Sequence, residues 1–416
     1  MKKIEIMAPV GSFEALSAAI QAGAGSVYFG VGKLNMRSKS SQNFTLDDLA
    51  DIATFCHQNN VKSYVTINTV IFDSELDEMR QLVDAVKCNG ITAVIASDQA
   101  VIQYAAKAGV EVHMSTQANI TNIEAIKYYA KYADVMVTAR ELTIHQVAAL
   151  TQAIQEQNII GPLGSLIRIE IFVHGALCMA VSGKCYLSLD MLNSSANRGA
   201  CLQPCRRAYT VKDRDQQLEM DIENEYIMSP KDLNTIYFLD RILDAGVEVL
   251  KIEGRGRSAE YVKVVTSVYH EAVEAVQQGL FTAQKADQWN ERLKSVYNRG
   301  FWDGYYLGSK IGEWTEQYGS QATQKKVYVG KVNNYFNKLQ VAEIKMETQS
   351  LGLGETILII GPTTGVYEDT LSEIRVELNP VQKTIKGENC SIFVKEAVRR
   401  GDKVYKLVES ASILAQ

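Results

Sequence analysis

Eight short β-like runs recur between Ile4 and Ile252, and amphipathic helical patterns fill the intervals between them. The runs are Ile4–Met7, Ser26–Phe29, Ser63–Asn68, Ala93–Ser97, Glu111–Met114, Asp134–Val137, Arg168–Val173 and Val247–Ile252. Alternating βαβα order calls for a parallel sheet covered by helices. Eight such units predict an α/β fold of the (β/α)8 TIM-like barrel type, with a doubly wound open sheet as the alternative. In one interval Leu49, Ile52, Ala53 and Cys56 share a face of a helix expected over Leu46–Gln58. Thr45 is placed to cap it, with Asp47 and Asp48 as an acidic first turn.

The rhythm stops after Val173 and resumes near Tyr226. The segment between, about 174–225, follows the end of the seventh strand, on the face where barrel enzymes place their chemistry. Beyond Tyr261, one or two helices lead to a polar link around Gly319–Lys325. From Val327 the texture turns to short Val/Ile/Leu alternation without long helices, as in Val327–Gly330, Ile357–Ile360 and Lys403–Val408. The expected organisation is a barrel domain over residues 1–320 with a cysteine-rich insertion, then a small C-terminal β-barrel domain over 326–412.

Composition narrows the class. Lys+Arg number 43 against 48 Asp+Glu, a formal charge of −5. That argues against coating nucleic acid through charge alone, and no DNA partner is expected. From Lys326 onward the chain carries 12 basic and 11 acidic residues, so the tail is slightly less acidic. The hydrophobic fraction of 46% is ordinary for a globular chain, and no uninterrupted apolar run reaches membrane-spanning length. The apolar stretch after Met1-Lys2-Lys3 breaks at Glu5 and ends by Pro9, too short for a signal sequence. A cytoplasmic enzyme with no membrane partner is the expectation.

Four of the seven cysteines, Cys178, Cys185, Cys201 and Cys205, fall within 28 residues, with six, fifteen and three residues between them. In a reducing compartment such a group points to metal rather than to disulfides. Thiolates suit both iron–sulfur clusters and structural zinc. Zinc sites favour two close pairs, and only Cys201 and Cys205 approach one, so a cluster fits as well or better. Four incidental buried thiols are the plain alternative. Cys56, Cys88 and Cys390 stand among apolar neighbours and read as buried thiols.

Other motifs cluster at the ends of the expected strands. Gly254-Arg255-Gly256-Arg257-Ser258-Ala259 has the letters of a dinucleotide loop but closes the barrel instead of opening a unit. Arg255 and Arg257 at the start of a helix suit a carboxylate or phosphate, unless they pair with Glu253 and Glu260 on a surface turn. Arg198, Arg206, Arg207, Lys212 and Arg214 flank the last two cysteines, where they would counter thiolate charge or steer phosphates, unless they are simply the charges of a solvated loop. Gln117 follows the fifth strand and Arg140 the sixth. Of the five histidines, only His174 lies near a candidate nucleophile, four residues before Cys178. No H-E-x-x-H or G-x-S-x-G motif occurs.

The stretch Glu170-Ile-Phe-Val-His-Gly-Ala-Leu-Cys178, continuing to Gly183-Lys-Cys185-Tyr-Leu-Ser188, resembles the signature of the collagenase-like peptidase U family, the thirty-second of the unassigned peptidases. Ala8–Ser12, Val27–Gly30, Ser115–Asn119, Asn197-Arg198-Gly199 and Lys251–Arg255 resemble it too. The length and the β-rich tail look most like the family's tRNA-hydroxylation branch. The resemblance implies a [4Fe–4S] cluster on the four cysteines, with zinc as the alternative. It also implies oxygen-independent, prephenate-dependent formation of 5-hydroxyuridine at the tRNA wobble position. tRNA, prephenate and an electron donor or partner protein of the same family are then the expected partners. His174, Gln117, Arg140 and Glu253 are candidates for catalysis, and Arg255, Arg257, Arg198 and Arg206 for anion binding. A peptidase, as the family's older label says, and a metal-stabilised binding scaffold are the competing readings.

Overall fold

The computed structural model describes residues 3–39, 41–210, 226–308 and 312–410. Strands β1 (Glu5–Pro9), β2 (Ser26–Gly30), β3 (Lys62–Ile67), β4 (Ala93–Ala96), β5 (Glu111–Met114), β6 (Val135–Val137) and β7 (Arg168–Gly175) pair in parallel, each with the next. A short strand β8 (Asp232–Asn234) runs antiparallel to the end of β7. Then β9 (Val249–Ile252) pairs in parallel with both β7 and β1, so that Val249 faces Glu170 on one side and Glu5 on the other. This double pairing closes an eight-stranded barrel and removes the open-sheet alternative. Strand β10 (Phe301–Trp302) adds to β8 outside the barrel.

The outer layer consists of α1 (Phe13–Gln21), α2 (Leu49–Gln58), α3 (Leu76–Cys88), α4 (Gln99–Ala108), α5 (Ile123–Tyr129) and α6 (Ile144–Glu156). After α7 (Leu187–Leu192) in the insertion come α8 (Leu239–Asp244), α9 (Ala259–Gln277) and α10 (Ala283–Ser295). Several starts are locally encoded: the side chains of Ser12, Asn122, Thr143 and Thr282 accept from backbone N–H groups of the first turn. The expected cap of α2 is corrected. That helix begins at Leu49 behind Asp48, and Thr45 donates its N–H and hydroxyl to the Asp48 carboxylate at 2.7 and 2.8 Å. Cys56 and Cys390 are buried as expected, but Cys88 ends α3 exposed. No helix among the described residues is long and apolar enough to cross a membrane.

Inside the barrel, Met7, Tyr28, Tyr64, Ala93, Ile95, Val135 and Val249 form an inner apolar plug. Charged groups lie above and below it. At the lower mouth Glu5 accepts from Tyr64 at 2.6 Å and pairs with Lys62 and Arg168, both at 3.1 Å. Burial works against its charge, but Lys62, Tyr64, His113 and Arg168 together hold its carboxyl down at about 2. Higher up, Lys251 donates to Glu170 at 2.6 Å, with both side chains buried.

The tail is an antiparallel sheet of eight strands: β11 (Gln324–Phe336), β12 (Val341–Met346), β13 (Thr356–Gly361), β14 (Gly365–Thr370), β15 (Arg375–Val376), β16 (Asn379–Pro380), β17 (Asn389–Phe393) and β18 (Lys403–Glu409). The sheet curls around its own apolar core, including Val329, Ile344, Ile359, Cys390 and Val404. The connection into it is pinned to the end of α10, since Gln321 and Thr323 donate to the Asn298 and Lys294 carbonyls at 2.8 and 3.0 Å.

The tail docks on α1 and α9. Ala18 and Ala259 pack against Leu358, Ile360 and Val366. Ser17 donates to Pro362 and Gln21 to Thr364, at 2.6 and 2.8 Å. Gly365, at φ +63°, lets the β13–β14 turn press on Gln21 and Ala18, where a Cβ would collide. Truncation after Ala322 should therefore leave the barrel folded but weakened. Losing these contacts is worth roughly 2–3 kcal/mol, a fall of about 4–10 °C in Tm by calorimetry. A truncated barrel that melts with the full chain would mean the docking contributes nothing.

Candidate functional site

The insertion leaves β7 at Gly175 and is tied down on the C-terminal mouth of the barrel. Arg140, just past β6, donates to the Ala176 carbonyl at 3.1 Å and lies 3.9 Å from the Phe172 ring. Asn119, past β5, donates to Ser182 at 3.2 Å. The Lys39 N–H, on the β2–α2 loop, donates to Gly199 at 3.2 Å. Gly199, at φ +74°, lies so close to the Asn35 carbonyl and Ser38 hydroxyl that no Cβ fits there. Arg198 pairs with Glu75, donates to the Val70 carbonyl and covers the Phe72 ring at 4.1 Å. Arg206 donates to the Leu177 and Pro230 carbonyls, both at 2.6 Å, and to Ser229 at 3.0 Å. The geometry makes Arg198 and Arg206 fasteners of the loop, with their guanidiniums occupied by protein. Lys212 and Arg214 lie outside the described residues.

A cavity of about 190 Å³ opens under this loop. Cys178, Cys201 and Cys205 line it together with Arg37, Arg206, Arg257, Arg299 and Glu253. Cys185 is outside that lining, yet it adds to the electrostatic field on both Cys201 and Cys205. Burial pushes the Cys201 and Cys205 thiols up, and the neighbouring cysteines push the same way, while Arg37 and Arg206 respectively pull down. A cationic, thiophilic group among these thiols would favour their thiolate forms. The donor set therefore fits a metal centre. Among the described residues, no three His, Cys, Asp or Glu side chains are gathered closely enough to hold one metal ion.

In the same lining, Arg37 donates to Glu253 at 2.7 Å. Burial raises the Glu253 carboxyl, but Arg37, Arg257 and Arg140 more than offset it and hold it at about 2. Arg257 lies flat on Tyr297, 3.6 Å from the ring centre, and has no ion pair among the described residues. Arg255 behaves differently. It is 6% exposed and turns inward, donating to Asn35 and Thr66 at 3.1 and 2.7 Å. Burial lowers its guanidinium to about 10. Neither arginine makes the expected surface-turn pair, since Glu253 is taken by Arg37 and Glu260 by Lys326 at 2.8 Å.

His174 is set among aromatic rings, whereas Gln117 packs against Gly183 of the cysteine loop. The His174 ring is 1% exposed, among Phe301, Tyr269 and Tyr261 at 5.5–6.1 Å. Burial lowers it to about 3, and its Nδ1 has no hydrogen-bond partner. Gln117 sits beyond β5 in a polar patch with Ser115 and Asn68. Two participants escaped the sequence reading: Arg37, which carries no motif, and the Lys251–Glu170 pair. The pair did leave a signal, because two opposite charges interrupt otherwise apolar strands.

Residues 11–316 match Peptidase family U32. The chain is 57% identical over 402 residues to a protein named collagenase from Porphyromonas gingivalis, covering 97% of each. It is 30% identical over 384 residues to tRNA hydroxylation protein P1 of Bacillus subtilis, covering 90% of this chain and 87% of that one. It is 34% identical over 275 residues to a 23S rRNA 5-hydroxycytidine synthase of Escherichia coli, covering 66% and 40%. These relatives carry the names of two chemistries, peptide cleavage and RNA hydroxylation. By the extent of these matches, the chain belongs to peptidase family U32.

Proposed function

We propose that this chain is an iron–sulfur RNA-modification enzyme that hydroxylates uridine at the tRNA wobble position, with prephenate as co-substrate and without O2. The observation that carries the reading is the set of thiols around a cavity walled by Arg37, Glu253 and Arg257, in a family with members named for tRNA and rRNA hydroxylation. Cys178, Cys185, Cys201 and Cys205 would hold a [4Fe–4S] cluster. The support for a cluster over a single zinc is the ligand spacing, which offers only one close pair, Cys201 and Cys205, while Cys178, Cys201 and Cys205 border a common space. Such a cluster, when bound, supplies single-electron transfer.

The protein's own groups divide the remaining work. Arg257, which makes no direct ion pair although the Glu253 and Asp232 carboxylates lie near enough to favour its charge, binds a carboxylate or phosphate at the cavity wall. Glu253 stays ionised at neutral pH, so it orients Arg37 and Arg257 instead of donating a proton. The collagenase names favour a second reading, peptide hydrolysis. That chemistry needs a base beside its nucleophile, and His174 is sequestered among aromatic rings, hydrogen-bonded to no cysteine.

The deciding measurement is wobble 5-hydroxyuridine by mass spectrometry in a strain lacking the gene. The modification should vanish and return with the wild-type gene. Arg257→Ala should keep the protein's iron but restore only about one tenth to one hundredth of the activity, since a charge-assisted contact is worth about 1.5–3 kcal/mol. Unchanged 5-hydroxyuridine in the deletion strain, with no sister gene present, would sink the reading.

A further inference from the structure

A second cavity, about 780 Å³, lies beside the first where the mouth of the barrel meets the tail. Gly256 and Arg257 line both, so the two spaces adjoin. Its walls gather Lys39 from the β2–α2 loop, Arg257 from the loop before α9, and Lys326 and Lys403 from β11 and β18. Arg255 also lines it, but its guanidinium is turned inward. The one carboxylate in the lining belongs to Glu14. Lys326 is tied to Glu260, whereas Lys39, Arg257 and Lys403 have no ion pair among the described residues.

In a chain of formal charge −5, two lysines without ion pairs, joined by Arg257 on the shared wall, favour an anionic occupant of this open space. They come from three separate segments of two domains, which suits a repeated anion better than one carboxylate. We infer that this cleft binds the phosphodiester backbone of the RNA substrate and leads it to the cysteine-lined cavity; the inference rests on the RNA reading above. Lys39 has a double part in that arrangement, because its backbone N–H holds the cysteine loop at Gly199 while its side chain faces the cleft.

The test is equilibrium binding of unmodified tRNA to the full-length chain across a salt series, read by fluorescence anisotropy. Wild type should bind, and weaken as salt rises. Lys39→Ala combined with Lys403→Ala should cost at least about tenfold at low salt and flatten the log–log salt slope by roughly 1.5–2, one released counterion per contact. Iron content should not move. Lys107→Ala, on α4 at the barrel's flank, should bind as wild type does. Equal affinity and slope in the double variant would overturn the cleft and leave the RNA reading standing. No tRNA binding by wild type at any salt would overturn both.

Discussion

Replacing any one of Cys178, Cys185, Cys201 or Cys205 by alanine is expected to strip most of the iron and acid-labile sulfide from anaerobically purified protein. The physical reason is that thiolate ligands bind one cationic centre together, and that centre offsets the repulsion among them. Removing one ligand leaves an incomplete set around the cavity, so the loss should be nearly equal at all four positions. The control cysteines behave differently. Cys88 is exposed on α3 and its replacement should be silent. Cys56 and Cys390 lie in the cores of the barrel and the tail, where removing the sulfur leaves a small void costing on the order of 1 kcal/mol without touching iron. Full iron retention in Cys201→Ala would show that the ligand set is wrong. Retention in Cys185→Ala alone would mean that the three thiols lining the cavity suffice.

The barrel was legible because each of its strands is buried on both faces, which writes a short unbroken apolar run into the chain. Strands β8 and β10, three and two residues long, are too short to show any period. The start of α2 was not legible because Thr45 and Asp48 bond each other, so the helix begins behind Asp48 with neither side chain capping its first turn. That three of the four clustered cysteines would line one cavity was legible from their spacing. The arginines were not, because a long side chain's direction depends on neighbours distant in sequence. Arg255 and Arg257 are two residues apart, yet one is drawn inside by Asn35 and Thr66 while the other lies on Tyr297. Arg198 was taken by Glu75, Val70 and Phe72, residues of a loop more than a hundred positions earlier.

The other large effect is expected within the barrel. Lys251 and Glu170 meet at 2.6 Å, 5% and 0% exposed at their side chains, on the adjacent strands β9 and β7. Lys251 also lies 4.6 Å from the Tyr28 ring and 5.5 Å from that of Phe172, beneath Arg140. Burial lowers the Lys251 ammonium from its usual range, and Glu170 pulls it part of the way back. Glu170→Gln or Lys251→Met should therefore cost about 3–5 kcal/mol, because each leaves a buried charge without its partner. For a domain of this size that is a fall on the order of 10 °C in apparent Tm. The double variant Glu170→Leu, Lys251→Met removes both charges and should recover much of the loss, since a buried pair and an apolar pair of similar volume are often close in stability. Denaturant titration of Glu170→Leu, Lys251→Met and the double variant gives the coupling energy directly. A Glu170→Gln variant within about 0.5 kcal/mol of wild type would mean that the pair is not ionised. Were the double variant no better than the singles, the pair's worth would lie instead in its packing against Tyr28 and Phe172.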